Sequence, residues 1–268
     1  MEWSVSKIIR IEQGAVAITP IDLRALLAAY KVTDEKRVLE LVDLARESKR
    51  QAWSEYKDIY SQAALTLFGS EAAAKTIYSY EPTFVSGLLQ TQEYAQALLS
   101  GLGFPEEAVD RMINARVERQ ELLDRDARPS FRLILGEAAV SRAVGGRRVM
   151  TRQLERIKDV GARPGISIQV LPFSAGAHPK MGGGAFVILE FEDENLDDLL
   201  YLDTATCESI TRDDPQLIAD YRDAFVKLEA MATKPDDLAH VLDAIAVARF
   251  QDNSESLSAS SIPPELVE

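Results

Sequence analysis

Near residue 70 the spacing of apolar residues changes period, which restricts this chain to two architectures joined end to end. Before it, apolar side chains recur every three or four residues, the pattern of helices with one buried face. Val5, Ile8, Ile9 and Ile11 give such a face over residues 4–13, with Ser4 as N-cap and Gly14 as the stop. A second helix opens at Thr19-Pro20-Ile21-Asp22 and turns Leu23, Leu26, Leu27 and Tyr30 inward. A third starts near Thr33-Asp34 and reaches about residue 51, burying Val38, Leu41, Val42 and Ala45. A connecting helix is predicted over 53–68.

After the change, short β-branched runs alternate with helical segments. Strands are predicted over 74–80, 131–135, 166–171, 185–191, 199–202 and 208–211, and helices over 88–99, 105–124, 147–160, 215–231 and 235–248. The strands 166–171 and 185–191 flank a glycine-rich loop and are expected to pair like a hairpin. The fold class is therefore α+β: an all-α head over 1–51, then an α+β body over 52–250 with a largely antiparallel sheet and flanking helices. Residues 251–268 are Ser-rich, carry Pro263-Pro264 and no basic residue, and are expected to form a disordered acidic tail.

Charge follows the same division. The chain of 268 residues has a formal net charge of -13. Residues 1–50 hold nine Lys/Arg against eight Asp/Glu, and the remainder hold 21 against 35. A near-neutral head on a strongly acidic body leaves only the head suited to a polyanion. One cysteine, Cys207, excludes an internal disulfide framework and a Cys-based zinc site. Neither a secretory signal pattern nor an apolar run of bilayer length is present, so a soluble, cytoplasmic protein is expected.

Opposite Ile8 and Ile11, the opening helix presents Ser4, Ser6, Lys7 and Arg10. Small hydroxyls and two cations on one face suit contact with bases and phosphates in a major groove. The stretch Trp3-Ser-Val-Ser-Lys-Ile-Ile-Arg-Ile-Glu-Gln-Gly14 closely resembles the third helix of Xre-type, lambda-repressor-like helix-turn-helix regulators, and Ile18 to Tyr30 resembles their fourth. The body resembles the C-terminal domain of unknown function that accompanies this head in high-GC Gram-positive bacteria. The residues that carry this are Tyr80-Glu-Pro-Thr-Phe-Val-Ser-Gly-Leu-Leu-Gln-Thr-Gln-Glu-Tyr-Ala95, Val144-Gly-Gly146 and Ile168-Gln-Val-Leu-Pro-Phe-Ser-Ala-Gly-Ala-His178.

The resemblance implies a transcriptional regulator that binds a double-stranded DNA operator as a homodimer, with Ser4, Ser6, Lys7 and Arg10 at the DNA. It also implies a very small partner protein encoded nearby. The family's first two DNA-domain helices have no counterpart, so the head is expected to be truncated, with the true start upstream of Met1. These 268 residues alone are then expected to bind DNA weakly or not at all. The alternative is an interaction protein that does not bind DNA and sequesters the small partner or a paralogue.

A second alternative, a small-ligand sensor or enzyme, centres on Pro172 to Gly184. There His178, Lys180, Gly182 and Gly183 are candidate ligand-binding residues, since glycine amides with a nearby cation can cradle an anion. The spacing matches neither a Walker loop nor a dinucleotide fingerprint, and a plain connection between strands is the favoured reading. Ser174 and His178 lack an acidic orienter, Cys207 lacks a nearby histidine, and His240 sits mid-helix, so no catalysis is expected. Two distant histidines support no metal, and no cofactor is expected. The apolar stretch 81–94, with Phe84, Val85, Leu88, Leu89 and Tyr94, suits a buried hinge better than an exposed partner groove.

Overall fold

The computed structural model describes residues 8, 11, 18, 20–32, 34–39, 41–42, 53–125, 128–192, 196–204 and 207–250. The chain divides into two compact units, Met1–Gly69 and Ser70–Glu268.

In the first unit Ile8 and Ile11 are helical, while Ser4, Ser6, Lys7 and Arg10 lie outside the described residues. Helix α1 (Pro20–Ala29) starts on proline and carries Asp22 in its first turn, where the dipole favours an acid. Among its described side chains, Leu26 and Leu27 are buried. Tyr30 does not join that inner face: the helix gives way to a turn there, Lys31 takes a left-handed φ of 61°, and the ring is exposed. Residues 35–39 and 41–42 are helical, and the Asp34 carboxylate accepts the Lys36 amide at 3.0 Å, a cap one residue into the predicted start. The helix expected over 53–68 is broken in two. A 3-10 turn spans Ser54–Tyr56, and α2 (Gln62–Glu71) starts afresh where the Ser61 hydroxyl accepts the Ala64 amide at 3.1 Å. Phe68 folds back edge-on to Trp53 and Tyr60, with ring centroids 5.4 and 5.2 Å away.

The second unit is built on β1 (Thr76–Glu81), β2 (Ser130–Gly136), β3 (Ile166–Leu171), β4 (Ala185–Glu190), β5 (Leu199–Asp203) and β6 (Glu208–Thr211), ordered β3-β2-β1-β4-β5-β6. Pairings β1–β4, β4–β5 and β5–β6 are antiparallel, whereas β1–β2 and β2–β3 are parallel. The expected α+β class and mainly antiparallel sheet hold. The expected β3–β4 hairpin does not. β2 and β1 lie between those strands, so the loop after β3 is a crossover along the strand ends.

Helices α3 (Gln92–Gly101), α4 (Glu106–Gln120), α5 (Glu137–Ser141), α6 (Arg147–Gly161), α7 (Pro215–Met231) and α8 (Leu238–Phe250) flank the sheet. The predicted helix 88–99 starts later, at Gln92, because the Thr91 hydroxyl accepts the Tyr94 amide at 3.2 Å and sets the cap there. Alternation sorts the strands by face. Tyr80, Ile134, Leu171, Phe186, Ile188 and Leu200 meet Ile218, Tyr221, Phe225 and Leu228 of α7 in one buried cluster. Each such side chain contributes roughly 1.5–3 kcal/mol on burial. On the opposite face α8 packs against α6, and a β-carbon on Gly161 would stand 2.5 Å from Leu238 and 3.6 Å from Ile168. Asp214 caps α7 through the Leu217 amide at 2.9 Å, and the Arg132–Glu229 ion pair ties α7 to β2.

Candidate functional site

The parallel strands end together at Glu81, Gly136 and Leu171, and the crossover loop 172–184 runs past these ends. The carboxyl ends of parallel strands, beside the point where the next strand reverses, are where open sheets place ligands. The Phe173 amide donates to Glu137 Oε2 at 2.7 Å, which pins the start of the loop. His178 brings Nε2 to 3.4 Å from the Tyr80 hydroxyl, and its ring stands edge-on to Tyr80 at 5.9 Å. Lys180 Nζ sits 3.9 Å over the Tyr221 ring. Gly184 closes the loop with φ +78°; a β-carbon there would be 2.3 Å from the Asp203 carbonyl oxygen, so only glycine fits.

Of the four candidate ligand residues, the structure brings His178 and Lys180 onto the aromatic end of the α7 core. Gly182 and Gly183 lie in the turn beyond. The Met181 and Gly183 amides bond within the loop, to the His178 and Lys180 carbonyls at 3.3 and 2.9 Å, so neither points outward to an anion. Lys180→Ala should lower stability by roughly 0.5–1 kcal/mol through loss of the cation–π contact, checked by urea denaturation.

The other face of the same strand ends carries acids. Ser79 Oγ donates to Glu81 Oε1 at 3.4 Å. Burial, reinforced by the Asp203 carboxylate, pushes Glu81 up to about 8, against opposition from Arg119, Ser79 and Ser86. Asp203 is itself raised, by burial and by Glu208. Burial, with Glu208 and Asp203 adding to it, raises the Tyr201 phenol. Arg119 holds the buried Glu71 carboxylate with two hydrogen bonds, at 2.7 and 2.6 Å. The arrangement favours the protonated form of Glu81, with the Asp203 carboxyl acting on it. Among the described residues no three His, Cys, Asp or Glu side chains are placed to share a metal.

The stretch 81–94 lies inside the second unit and is buried rather than an exposed groove. Val85, Leu88, Leu89 and Tyr94 are all buried. Its backbone is held by side chains: the Val85 amide donates to the Tyr94 oxygen at 3.1 Å, Gln90 Nε2 to the Val85 carbonyl at 2.7 Å, and Gln153 Nε2 to the Leu89 carbonyl at 2.7 Å.

Residues 65–244 match the family described as "Domain of unknown function (DUF5753)". The chain belongs to the DUF5753 family. The C-terminal domain of unknown function expected from the sequence is thus present. Within the DUF5753 region lie both strand-end clusters and all three body stretches that carried the resemblance. No curated protein and no solved structure matches the chain.

Sequence reasoning missed Glu81, Asp203 and the Glu71–Arg119 pair. The available signal was alternation: Ile77, Ser79 and Glu81 share one face of a strand whose other face is aromatic, so an acid there faces the interior. Cys207 and His240, set aside in the sequence, are both exposed. No described helix is long and apolar enough to cross a membrane.

Proposed function

We propose that the protein regulates transcription: a head within residues 1–51 meets double-stranded DNA, and the DUF5753 body receives the signal that alters this engagement. The observation that carries the reading is the succession, in one chain, of a polar-faced opening stretch resembling an Xre recognition helix and a DUF5753 body. Helix α1, which starts on Pro20 where the resemblance calls for the next helix, supports it. Ser4, Ser6, Lys7 and Arg10 are the DNA contacts, a homodimer spans two half-sites, and a small protein encoded nearby is the expected partner. The protein acts in the cytoplasm and catalyses no reaction.

Selection from a pool of randomised duplexes tests this. The 268-residue chain and a version translated with the upstream codons of its reading frame are run side by side. The extended version should enrich a palindrome. Lys7→Ala and Arg10→Ala should each reduce the slope of log affinity against log salt by about 1. If neither protein enriches any sequence, the regulator reading fails and the sequestering protein takes its place.

A further inference from the structure

The two edges of the sheet are finished differently. On the β3 side the chain seals its own edge: the Thr233 amide donates to the Val170 carbonyl at 2.9 Å, and the Val170 amide donates to the Thr233 hydroxyl at 3.1 Å. On the other side β6 is the last strand, and no described strand lies beyond it. The turn before β6 decides which of its backbone groups face outward. The Thr204 amide donates to the Cys207 carbonyl at 3.1 Å, and the ladder continues as Asp203↔Glu208, Leu202↔Ser209, Tyr201↔Ile210 and Leu200↔Thr211. Hydrogen-bonded and non-hydrogen-bonded pairs alternate along such a ladder. Ser209 and Thr211 therefore bond inward to β5, while Glu208 and Ile210 turn their amides and carbonyls away from it. Glu208 and Ser209 are exposed, and Ile210 is half-buried.

An edge of this kind is ordinarily blunted by lysine, proline or a bulge. β6 has none of these. Its sequence is instead complementary to its own reverse: Glu208-Ser-Ile-Thr-Arg212 runs acid, hydroxyl, isoleucine, hydroxyl, base. Antiparallel pairing of two copies about Ile210 sets Ile210 against Ile210, Ser209 against Thr211 and Glu208 against Arg212. It also brings the outward amide and carbonyl of Ile210 onto those of the other copy. Sliding to the next register that keeps outward groups facing, in either direction, sets Ile210 against a charged residue, so the pattern selects the first.

Both charged ends retain capacity for such a partner. The Arg212 guanidinium lies over the Phe191 ring at 5.2 Å and donates to the Ser70 hydroxyl at 3.2 Å, with Asp197 and Asp213 acting on it by charge. A guanidinium carries more N–H donors than a single hydroxyl uses. Glu208 bonds the Tyr201 phenol, and a carboxylate accepts from more than one donor. We propose that β6 is a self-recognition edge: two copies of this chain pair β6 with β6, antiparallel about Ile210, and join their sheets into one. The pairing supplies the homodimer of the regulator reading, but it stands on the strand edge alone and does not depend on DNA binding. So short an edge buries less than a permanent interface needs, and the dimer should dissociate in the micromolar range.

Sedimentation velocity of the 268-residue protein across that range tests the proposal. The wild type should pass from monomer to dimer. Glu208→Arg, at an exposed position, and Arg212→Glu should each weaken self-association roughly tenfold or more, because each sets like charges opposite one another. Mixed together, the two variants should associate with each other as the wild type does with itself, since every charge then meets its opposite. Ile210→Pro removes an outward amide and leaves the ladder to β5 intact, so it should fold and stay monomeric. The proposal is overturned if the wild type is monomeric throughout, if the dimer survives Glu208→Arg or Ile210→Pro unchanged, or if the mixed variants associate no better than either alone. Should Arg212→Glu fail to fold, Glu208→Arg and Ile210→Pro decide the matter. None of these outcomes alters the operator selection, so failure here is distinct from failure of the regulator reading.

Discussion

Arg119→Leu should destabilise the DUF5753 body by about 3–5 kcal/mol in urea denaturation. Glu71 is 1% exposed and Arg119 12%, and two hydrogen bonds join them. Removing the guanidinium leaves a carboxylate inside the fold with no cation to meet it, and the desolvation cost of that ion is then uncompensated. The double variant Glu71→Leu/Arg119→Leu should recover most of the loss, because no ion is stranded when both partners go. A double variant no more stable than Arg119→Leu alone would mean that the aliphatic part of Arg119, not its charge, supports the structure.

Glu81→Gln should make the protein more stable than wild type at alkaline pH, by roughly 2 kcal/mol at about pH 9, with no difference near pH 3, below the unfolded carboxyl range. The folded carboxyl holds its proton to about 8, well above the range of a carboxyl in an unfolded chain. Between those values the native state carries a proton that the unfolded state has released, so wild-type stability falls as pH rises through that window and levels off above it. The amide copies the neutral acid and escapes the fall. Each tenfold displacement of the proton equilibrium is worth about 1.4 kcal/mol; Glu81 keeps some solvent exposure, so only part of the full value is expected. Denaturation midpoints of the two proteins that stay parallel from acid to alkaline pH would show that Glu81 carries no such proton. The variant should retain a shallow slope of its own, since Asp203 is raised in the same direction.

The parts of the fold that local chemistry determines were legible in the sequence. α7 falls on its predicted span, because Asp214 caps it, Pro215 suits its first position, and its apolar residues repeat at helical spacing. β2 carries the apolar run Leu133-Ile-Leu135, and β3 alternates Ile166, Ile168 and Val170 with Ser167 and Gln169, a strand period. The break at Ser61 was also there to be read, as a capping hydroxyl ahead of a new helix. What was not legible is partnership at a distance. β3 and β4 look like a hairpin from either side of their loop, and only the demand of β1 for two neighbours separates them. The candidate site divides the same way. His178 and Lys180 stood out by residue type, yet their contacts with Tyr80 and Tyr221 depend on a crossover that no local pattern encodes. Glu81 reads as an ordinary strand-end acid until Asp203, over a hundred positions on, is known to face it.

The central place of β1 also governs how this body must come together during synthesis. β1 leaves the ribosome first of the six strands, but one flank stays bare until β4 arrives, since Thr76 pairs with Glu190. The nascent chain can zip β1, β2 and β3 into a parallel wing beforehand, while the row of unpaired amides along the other side of β1 invites adhesion to foreign strands. Folding that waits on so remote a contact is slow. The loop carrying His178 and Lys180 is the tether that finally delivers the missing strand, and shortening it should trap the half-built sheet.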